Sequence, residues 1–433
     1  MSVASPSFDP HAFKRLRLWP QAAELLGIIL NSPPPADKQM ERYFRSHRKL
    51  GKRDRGFVAE TVYGCLRRLR LLRELAGGDA APHAAIVAAE LLLQGNNAGS
   101  LSNARLTGGD GWRLHDVTGR VERINELELS PAARASMPDW LFERLGAQFG
   151  EEESLRLCEA LNRPATLDLR VNTLKADRAK VLHQLTQEGA ELSLPPYSPL
   201  GLRSKERASL FRSQAFINGL FEVQDEGSQL IALLVEPARR EMVMDFCAGG
   251  GGKTLALGAM MQATGTLYAC DVAHWRLKAL KPRLARAGLS SVRSLNLSSE
   301  NDAHLKRLAG KMDRVLVDAP CSGTGTLRRN PDIKWREVNL AELVELQARI
   351  LEASARLVKP GGRLVYSTCS LLDEENGNIV RSFLSANPEF HLLDARAILH
   401  RQGADVPLDN EMMQLYPHRH GTDGFFAAAM QRD

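Results

Sequence analysis

The chain has 433 residues, 44% of them hydrophobic and 25% charged, with a formal charge of +6 and a pI near 9.0. That length exceeds one ordinary core and predicts two or three domains, and the composition is that of a soluble globular protein. The longest apolar stretch of the amino-terminal half, residues 84–93, is too short to span a bilayer, and residues 1–6 lack the pattern of a signal peptide. A cytoplasmic protein with no membrane partner is expected.

Six cysteines, Cys65, Cys158, Cys247, Cys270, Cys321 and Cys369, show no close ligand pairing. In a reducing compartment they are expected as free thiols, with neither disulfides nor a structural metal. The modest net charge implies only a tolerance for polyanions.

In chain order, residues 38–73 carry Lys38, Arg42, Arg45, Arg48, Lys49, Lys52, Arg53, Arg55, Arg67, Arg68, Arg70 and Arg73 against Glu41, Asp54 and Glu60. Leu50, Phe57, Val58, Val62, Leu66 and Leu69 run between them at helical spacing. Amphipathic helices with an arginine-rich outer face are predicted, and that face suits contact with phosphates better than plain solvation. Residues 96–116, rich in Gly and Asn, read as a loop.

A second unit opens near Met137, with helical periodicity through 145 and over 151–161, a strand over 167–173 and a helix over 180–188. Residues 192–221, with Pro195, Pro196 and Pro199, read as irregular. From 242 onward strands are predicted at 242–247, 267–272, 292–297, 314–317 and 363–368. Helices are predicted at 254–261, 274–287, 341–358 and 373–384. That alternation implies a parallel sheet covered on both faces.

The first of these strands runs into Asp245-Phe246-Cys247-Ala248-Gly249-Gly250-Gly251-Gly252-Lys253-Thr254. Glycines at a strand-to-helix turn let backbone amides approach a ligand at the positive end of a helix. A Walker A loop would need glycine at Cys247, and GxGxxG would need one at Thr254, so both patterns fail. The second strand ends in Asp271, the residue type that accepts from both hydroxyls of a ribose. The fourth ends in Asp318-Ala319-Pro320-Cys321, and the fifth in Cys369. An adenosyl cofactor carrying little phosphate fits this set, and S-adenosylmethionine answers that description. The two thiols are expected on one rim, since the carboxyl ends of the strands are where open α/β sheets bind ligands.

At these residues the sequence resembles the RsmB/Nop/Sun family of RNA cytosine-5 methyltransferases. The resemblance rests on Asp245 to Thr254, on Asp318-Ala319-Pro320-Cys321-Ser322-Gly323-Thr324-Gly325, on Asn330 to Trp335, and on Tyr366-Ser367-Thr368-Cys369-Ser370 with Glu374-Glu375-Asn376. Arg170-Val171-Asn172-Thr173, Val223 to Ser228 and Gly421 to Phe426 extend it over about two thirds of the chain, and Leu50 to Arg55 with Tyr63-Gly64 is similar to a NusB-type RNA-binding domain.

The resemblance implies an α/β class I methyltransferase, a Rossmann-like parallel-type sheet over 241–433. An all-α NusB-like domain over 1–136 and an α+β connector over 137–240 would precede it. It implies an enzyme that methylates carbon 5 of a cytosine in RNA, rRNA foremost, using S-adenosylmethionine. Cys369 would be the nucleophile, Cys321 would assist release, Asp318 would contact the base, and Lys253 would act on a thiol or the base. Cofactor contacts would come from Cys247, Ala248, Gly249, Gly250, Gly251, Gly252, Lys253, Asp271 and Asp318, with Ser299 where the family offers an acid. Glu374 and Glu375 would start a helix, and Asn376 would position the Cys369 loop. A monomer is expected. The competing readings are a catalytically weak ribosome-assembly factor on the same fold, and a DNA cytosine-5 methyltransferase, against which Cys369 and the NusB-like helices speak.

Overall fold

The computed structural model describes residues 14–205 and 210–433. Residues 1–6, read above for a signal peptide, and part of the 192–221 segment lie outside the described residues. Two compact units divide the chain. One runs to Arg163 and includes Leu327–Glu337, and the other comprises Pro164–Thr326 and Val338–Asp433. The sequence reading divides the chain after 136 and 240.

The first unit is helical: α1 (Trp19–Leu30), α2 (Ala36–Ser46), α3 (Lys52–Ala76), α4 (His83–Leu93), α5 (Leu114–Glu122), α6 (Asp139–Phe149) and α7 (Glu151–Leu161). In α3, Val58, Val62, Leu66, Leu69, Leu72 and Leu75 are fully buried, an i, i+3, i+4 stripe in which each leucine contributes about 2 kcal/mol. The Asp54 carboxylate accepts from Gly51 N at 3.1 Å to cap its start, and Gly77 ends it at φ +115°. Helix α4 is apolar on nearly every side and is correspondingly buried.

The basic stripe divides. Arg42, Arg45, Arg48, Lys49, Lys52 and Arg53 are exposed, whereas Arg67, Arg68, Arg70 and Arg73 are half-buried. Arg68 pairs with the buried Glu90 at 2.5 Å, Arg70 with Asp139 at 2.7 Å and Arg73 with Asp79 at 3.6 Å. These last arginines hold helices together, so the predicted cationic face is shorter than the charge run that suggested it. The 96–116 stretch is also more ordered than predicted. Asn97 caps a helix over Ala98–Asn103 by accepting from Ser100 N at 2.8 Å, and a two-residue antiparallel pair follows.

Leu327–Glu337 belongs to this helical unit although it lies far along the sequence. Its 3₁₀ turn, Pro331–Trp335, brings the fully buried Lys334 to three oxygens: Arg67 O at 2.6 Å, Ser136 O at 3.0 Å and Asn162 Oδ1 at 2.7 Å. Trp335 Nε1 donates to Leu66 O at 2.7 Å. The Asp332 carboxylate accepts from Ala36 N at 3.2 Å, placing an anion at the amino terminus of α2.

The second unit begins with a four-stranded antiparallel sheet of β1 (Leu167–Val171), β2 (Leu192–Ser193), β3 (Gly201–Ser204) and β4 (Phe221–Val223), in the order β2-β3-β1-β4, with α8 (Arg178–Gln187) packed on it. Three of these strands lie in or at the end of the stretch read as irregular, because runs of two to four residues are too short to show alternation. The buried helix α9 (Glu226–Val235) leads into the large sheet.

The large sheet has eight strands: β5 (Met242–Asp245), β6 (Thr266–Asp271), β7 (Val292–Asn296), β8 (Met312–Asp318), β9 (Val358–Thr368), β10 (Phe390–Leu393), β11 (Met413–Leu415) and β12 (Phe425–Arg432). Their order is β10-β12-β9-β8-β5-β6-β7, with β11 paired to β12. Neighbours from β9 through β7 are parallel, whereas β12 is antiparallel to β9, β10 and β11. The five predicted strands are parallel as expected, and the sheet as a whole is mixed because the last strand, antiparallel, inserts between β9 and β10. Helices α10 (Gly252–Met260), α11 (His274–Ala287), α12 (Leu340–Ala355), α13 (Gly377–Ala386) and α14 (Ala395–Arg401) accompany the sheet strands in sequence. Helix α13 starts later than predicted because 373–375 form a separate 3₁₀ turn whose Glu375 points inward, fully buried. The winding reverses between β5 and β8, and at such a reversal the strand ends leave a crevice.

Candidate active site

At that reversal β8 pairs with β9 in a register that puts Asp318 beside Ser367, so the loops that follow leave the sheet side by side. Ala319 N still donates to Ser367 O at 2.8 Å, and Pro320 then ends the ladder. Cys321 and Cys369 come out facing each other, with their sulfurs 3.4 Å apart. The hydrogen bond to Cys369, then burial, push the Cys321 thiol well above its usual range, so Cys321 keeps its proton.

Lys253, in the first turn of α10, reaches Asp318 Oδ2 at 2.7 Å and lies 5.8 Å from the Phe425 ring. Burial works against its charge, but the attraction of Asp318, its hydrogen bond and the nearby Cys369 hold its pKa above the ordinary lysine value. The other Asp318 oxygen accepts from Ser367 Oγ at 3.2 Å. A buried cation thus stands at the same rim as both thiols.

A cavity of about 500 Å³ opens beside this rim. Cys247, Gly249, Asp271, Ser299, Asp318, Cys321 and Cys369 line it, while Ala248, Gly250, Gly251, Gly252 and Lys253 do not. The glycines divide by task. Gly249 turns at φ +54° and donates its N–H to Asp271 Oδ2 at 2.8 Å. Gly251 turns at φ +80°, and a Cβ there would stand 2.1 Å from a Leu280 methyl, so its need is packing of α11 against the loop. Arg170 donates to Gly252 O at 2.5 Å and Arg283 donates to Gly250 O, which fixes the loop from outside the cavity.

The cavity suits an adenosyl group. Phe246, Val272, Leu297, Leu343, Leu346 and Ile350 give it an apolar wall. Asp271 accepts one backbone N–H on each oxygen, Gly249 N at 2.8 Å and Ala273 N at 2.7 Å, leaving a lone pair on each for a vicinal diol. Ser299 reaches the wall where the resemblance calls for an acid, and its neighbour Glu300 reaches it too, paired with Arg349 at 3.1 Å. The sequence reading chose Ser299 over its neighbour Glu300, and it passed over the three α12 residues, which are distant in sequence and carry no motif.

The remaining thiols are structural. Cys65, Cys158 and Cys270 are fully buried. Cys247 touches the cavity, but burial and the carboxylates around it push its thiol well up and keep it neutral. Asp245, below the loop, is raised by burial to about 7 while Thr254 Oγ1 donates to it at 2.6 Å. Among the described residues, no group of three or more His, Cys, Asp or Glu could hold a metal ion, and no helix is long and apolar enough to cross a membrane.

Comparison with known proteins agrees with this geometry. The 16S rRNA methyltransferase RsmB/F family matches residues 232–431, and the ferredoxin-like domain of RsmF/B-like methyltransferases matches 137–210. A probable ribosomal RNA small subunit methyltransferase B of Synechocystis is 32% identical over 92% of this chain and 95% of its own length. The crystal structure of PH0851 superposes with a TM-score of 0.77 at 29% identity, covering 99% of this chain and all of its own. A methyltransferase homolog from Pyrococcus horikoshii gives 0.60 at 30% identity over 70% of this chain and 98% of its own. From sequence, fold and cavity together, the chain belongs to the RsmB/F family of 16S rRNA methyltransferases.

Proposed function

We propose that the protein methylates carbon 5 of a cytosine in 16S rRNA through a covalent bond to Cys369. The observation that carries this reading is the pair of thiols, 3.4 Å apart on the wall of a cavity that also presents Asp271. S-adenosylmethionine, held by the Gly249 turn, the apolar wall and Asp271, would supply an electrophilic methyl group.

Carbon 5 of cytosine is a poor nucleophile until a thiolate bonds to carbon 6 and pushes electron density onto it. Cys369 is the attacking sulfur in this reading, with the Cys321 thiol 3.4 Å away. Lys253 stands at the same rim as both thiols, and Asp318, oriented by Lys253 and Ser367, accepts from the base as charge builds during attack. Once carbon 5 carries the methyl group, solvent water would take its proton, the electron pair of that carbon–hydrogen bond would restore the 5,6 double bond, and the sulfur–carbon 6 bond would break to return Cys369 as a thiolate. Cys321, beside the departing sulfur, assists that release.

A target base must be unpaired or flipped for a thiol to reach carbon 6, so a loop or junction of the rRNA is the expected substrate. The exposed cations Arg42, Arg45, Arg48, Lys49, Lys52 and Arg53 would bind its phosphates, within a NusB-like domain over 1–136. The connector over 137–240 and the catalytic domain over 241–433 complete the proposed division, in a monomeric cytoplasmic enzyme.

The test is a denaturing gel of protein incubated with cofactor and labelled rRNA. Cys321→Ala should accumulate a protein–RNA adduct, and Cys369→Ala should form none. An adduct that survives Cys369→Ala would assign attack to another group.

A further inference from the structure

A buried carboxylate is one of the groups that hold the two cysteine loops to each other. Glu375 is fully buried beneath the rim, on the 3₁₀ turn that precedes α13. Its Oε1 accepts from Ser322 N at 2.8 Å and from Gln347 Nε2 at 2.9 Å. Its Oε2 accepts from Ser322 Oγ at 2.5 Å and from Ser370 Oγ. Ser322 follows Cys321 and Ser370 follows Cys369, so the carboxylate grips the residue next to each thiol.

Around this clamp the hydroxyls close a ring. Thr324 Oγ1 lies 3.2 Å from Ser370 Oγ and accepts from Leu371 N at 2.9 Å, and Gly325 N donates to Cys369 O at 2.8 Å. Gln347 also donates to Pro320 O at 2.9 Å, tying α12 to the turn before Cys321. Asn376 holds the Cys369 side alone, accepting from Thr368 Oγ1 at 2.5 Å and donating to Ser370 O at 2.9 Å. Ser322 Oγ also lies 3.2 Å from Ser370 Oγ and 3.3 Å from Thr324 Oγ1, so Glu375 is the carboxylate of a cluster that joins the residues following the two thiols. A helix start would place this acid at the surface, and four convergent donors on a fully buried carboxylate call for a different explanation.

We propose that Glu375 is a positioning residue that sets the spacing of Cys321 and Cys369 by its reach between Ser322 and Ser370. The inference rests on the two-thiol reading above and assigns to one side chain the geometry that reading requires. Reach is what matters. A glutamate carboxylate spans both serines, an aspartate is one methylene too short to do so, and a glutamine keeps the length and one accepting oxygen.

The experiment compares Glu375→Asp and Glu375→Gln in the full chain. Turnover and KM are measured, and in the absence of RNA so is the rate at which diamide joins the two thiols, the disulfide forming as diamide is reduced to its hydrazine. Glu375→Asp should lower kcat about 30-fold with KM within about twofold, and should slow thiol pairing. Glu375→Gln should stay within about threefold of the wild type in both readouts. Equal activity of Glu375→Asp and wild type would overturn the proposal, as would a glutamine variant weaker than the aspartate or a fall in kcat with thiol pairing unchanged. Should either variant fail to fold, Ser322→Ala with Ser370→Ala removes the grip from the opposite side. Slower pairing and lower kcat support the clamp, and no change in either refutes it. Thiol pairing needs no RNA, so it reads the clamp even where Cys369→Ala shows the functional reading to be wrong.

Discussion

Each unit buries an ionisable side chain, a base in the first and an acid in the second, and the two are held in mirror fashion. In the helical unit Lys334 gives its protons to three oxygens, while in the sheet unit Glu375 accepts from four donors. Such groups persist in an interior only when their hydrogen bonds are satisfied, and both sets are supplied from residues far apart in sequence. The difference lies in what each set joins. Lys334 joins the middle of α3 to Ser136 and Asn162, whereas Glu375 binds the residues beside the two thiols. Breaking the first should cost stability, and breaking the second should cost chemistry.

The largest stability effect is expected at Lys334. Lys334→Ala removes a donor from three oxygens and leaves a cavity, and it should destabilise the helical unit by about 3 kcal/mol, read by chemical denaturation. A pH series sharpens the point. Burial pushes Lys334 down to about 7 from its ordinary 10.5, so between those values the unfolded chain binds a proton that the folded chain lacks. Stability of this unit should therefore rise as pH climbs from 7 toward 10, and Lys334→Met should flatten that rise.

In the sheet unit Asp271→Ala should weaken cofactor binding by about 2 kcal/mol, read by calorimetry, with turnover at saturating cofactor largely kept. Lost turnover at unchanged affinity would move Asp271 from the cofactor to the chemistry. Asp332→Ala should produce the smallest effect, about 1 kcal/mol, because it removes a cap at the amino terminus of α2 and a partly exposed pair with Arg336. Methyl transfer by the folded variant should be unaffected.

What the sequence disclosed followed the same division. The glycine turn, Asp271, Asp318 and the thiols each end a strand, and a strand end is a local signal. Helix α11 likewise falls on residues 274–287 as its periodicity predicts. The return of Leu327–Glu337 to the helical unit left no such trace, because Lys334 meets Arg67 and Ser136 across long sequence separations. Glu375 looked like a helix-starting acid for the same reason, since its partners on Ser322 and Gln347 are set by packing. The arginines at 67, 68, 70 and 73 carry equal charge to those at 42 and 45, and only the fold separates the structural ones from the exposed ones.

The most direct measurement of the central claim is bisulfite sequencing of 16S rRNA from cells lacking this protein, complemented with the wild-type or the Cys369→Ala chain. One cytosine should lose its 5-methyl mark and regain it only with the wild-type protein. An unchanged methylation pattern, or a mark restored by Cys369→Ala, would contradict the account.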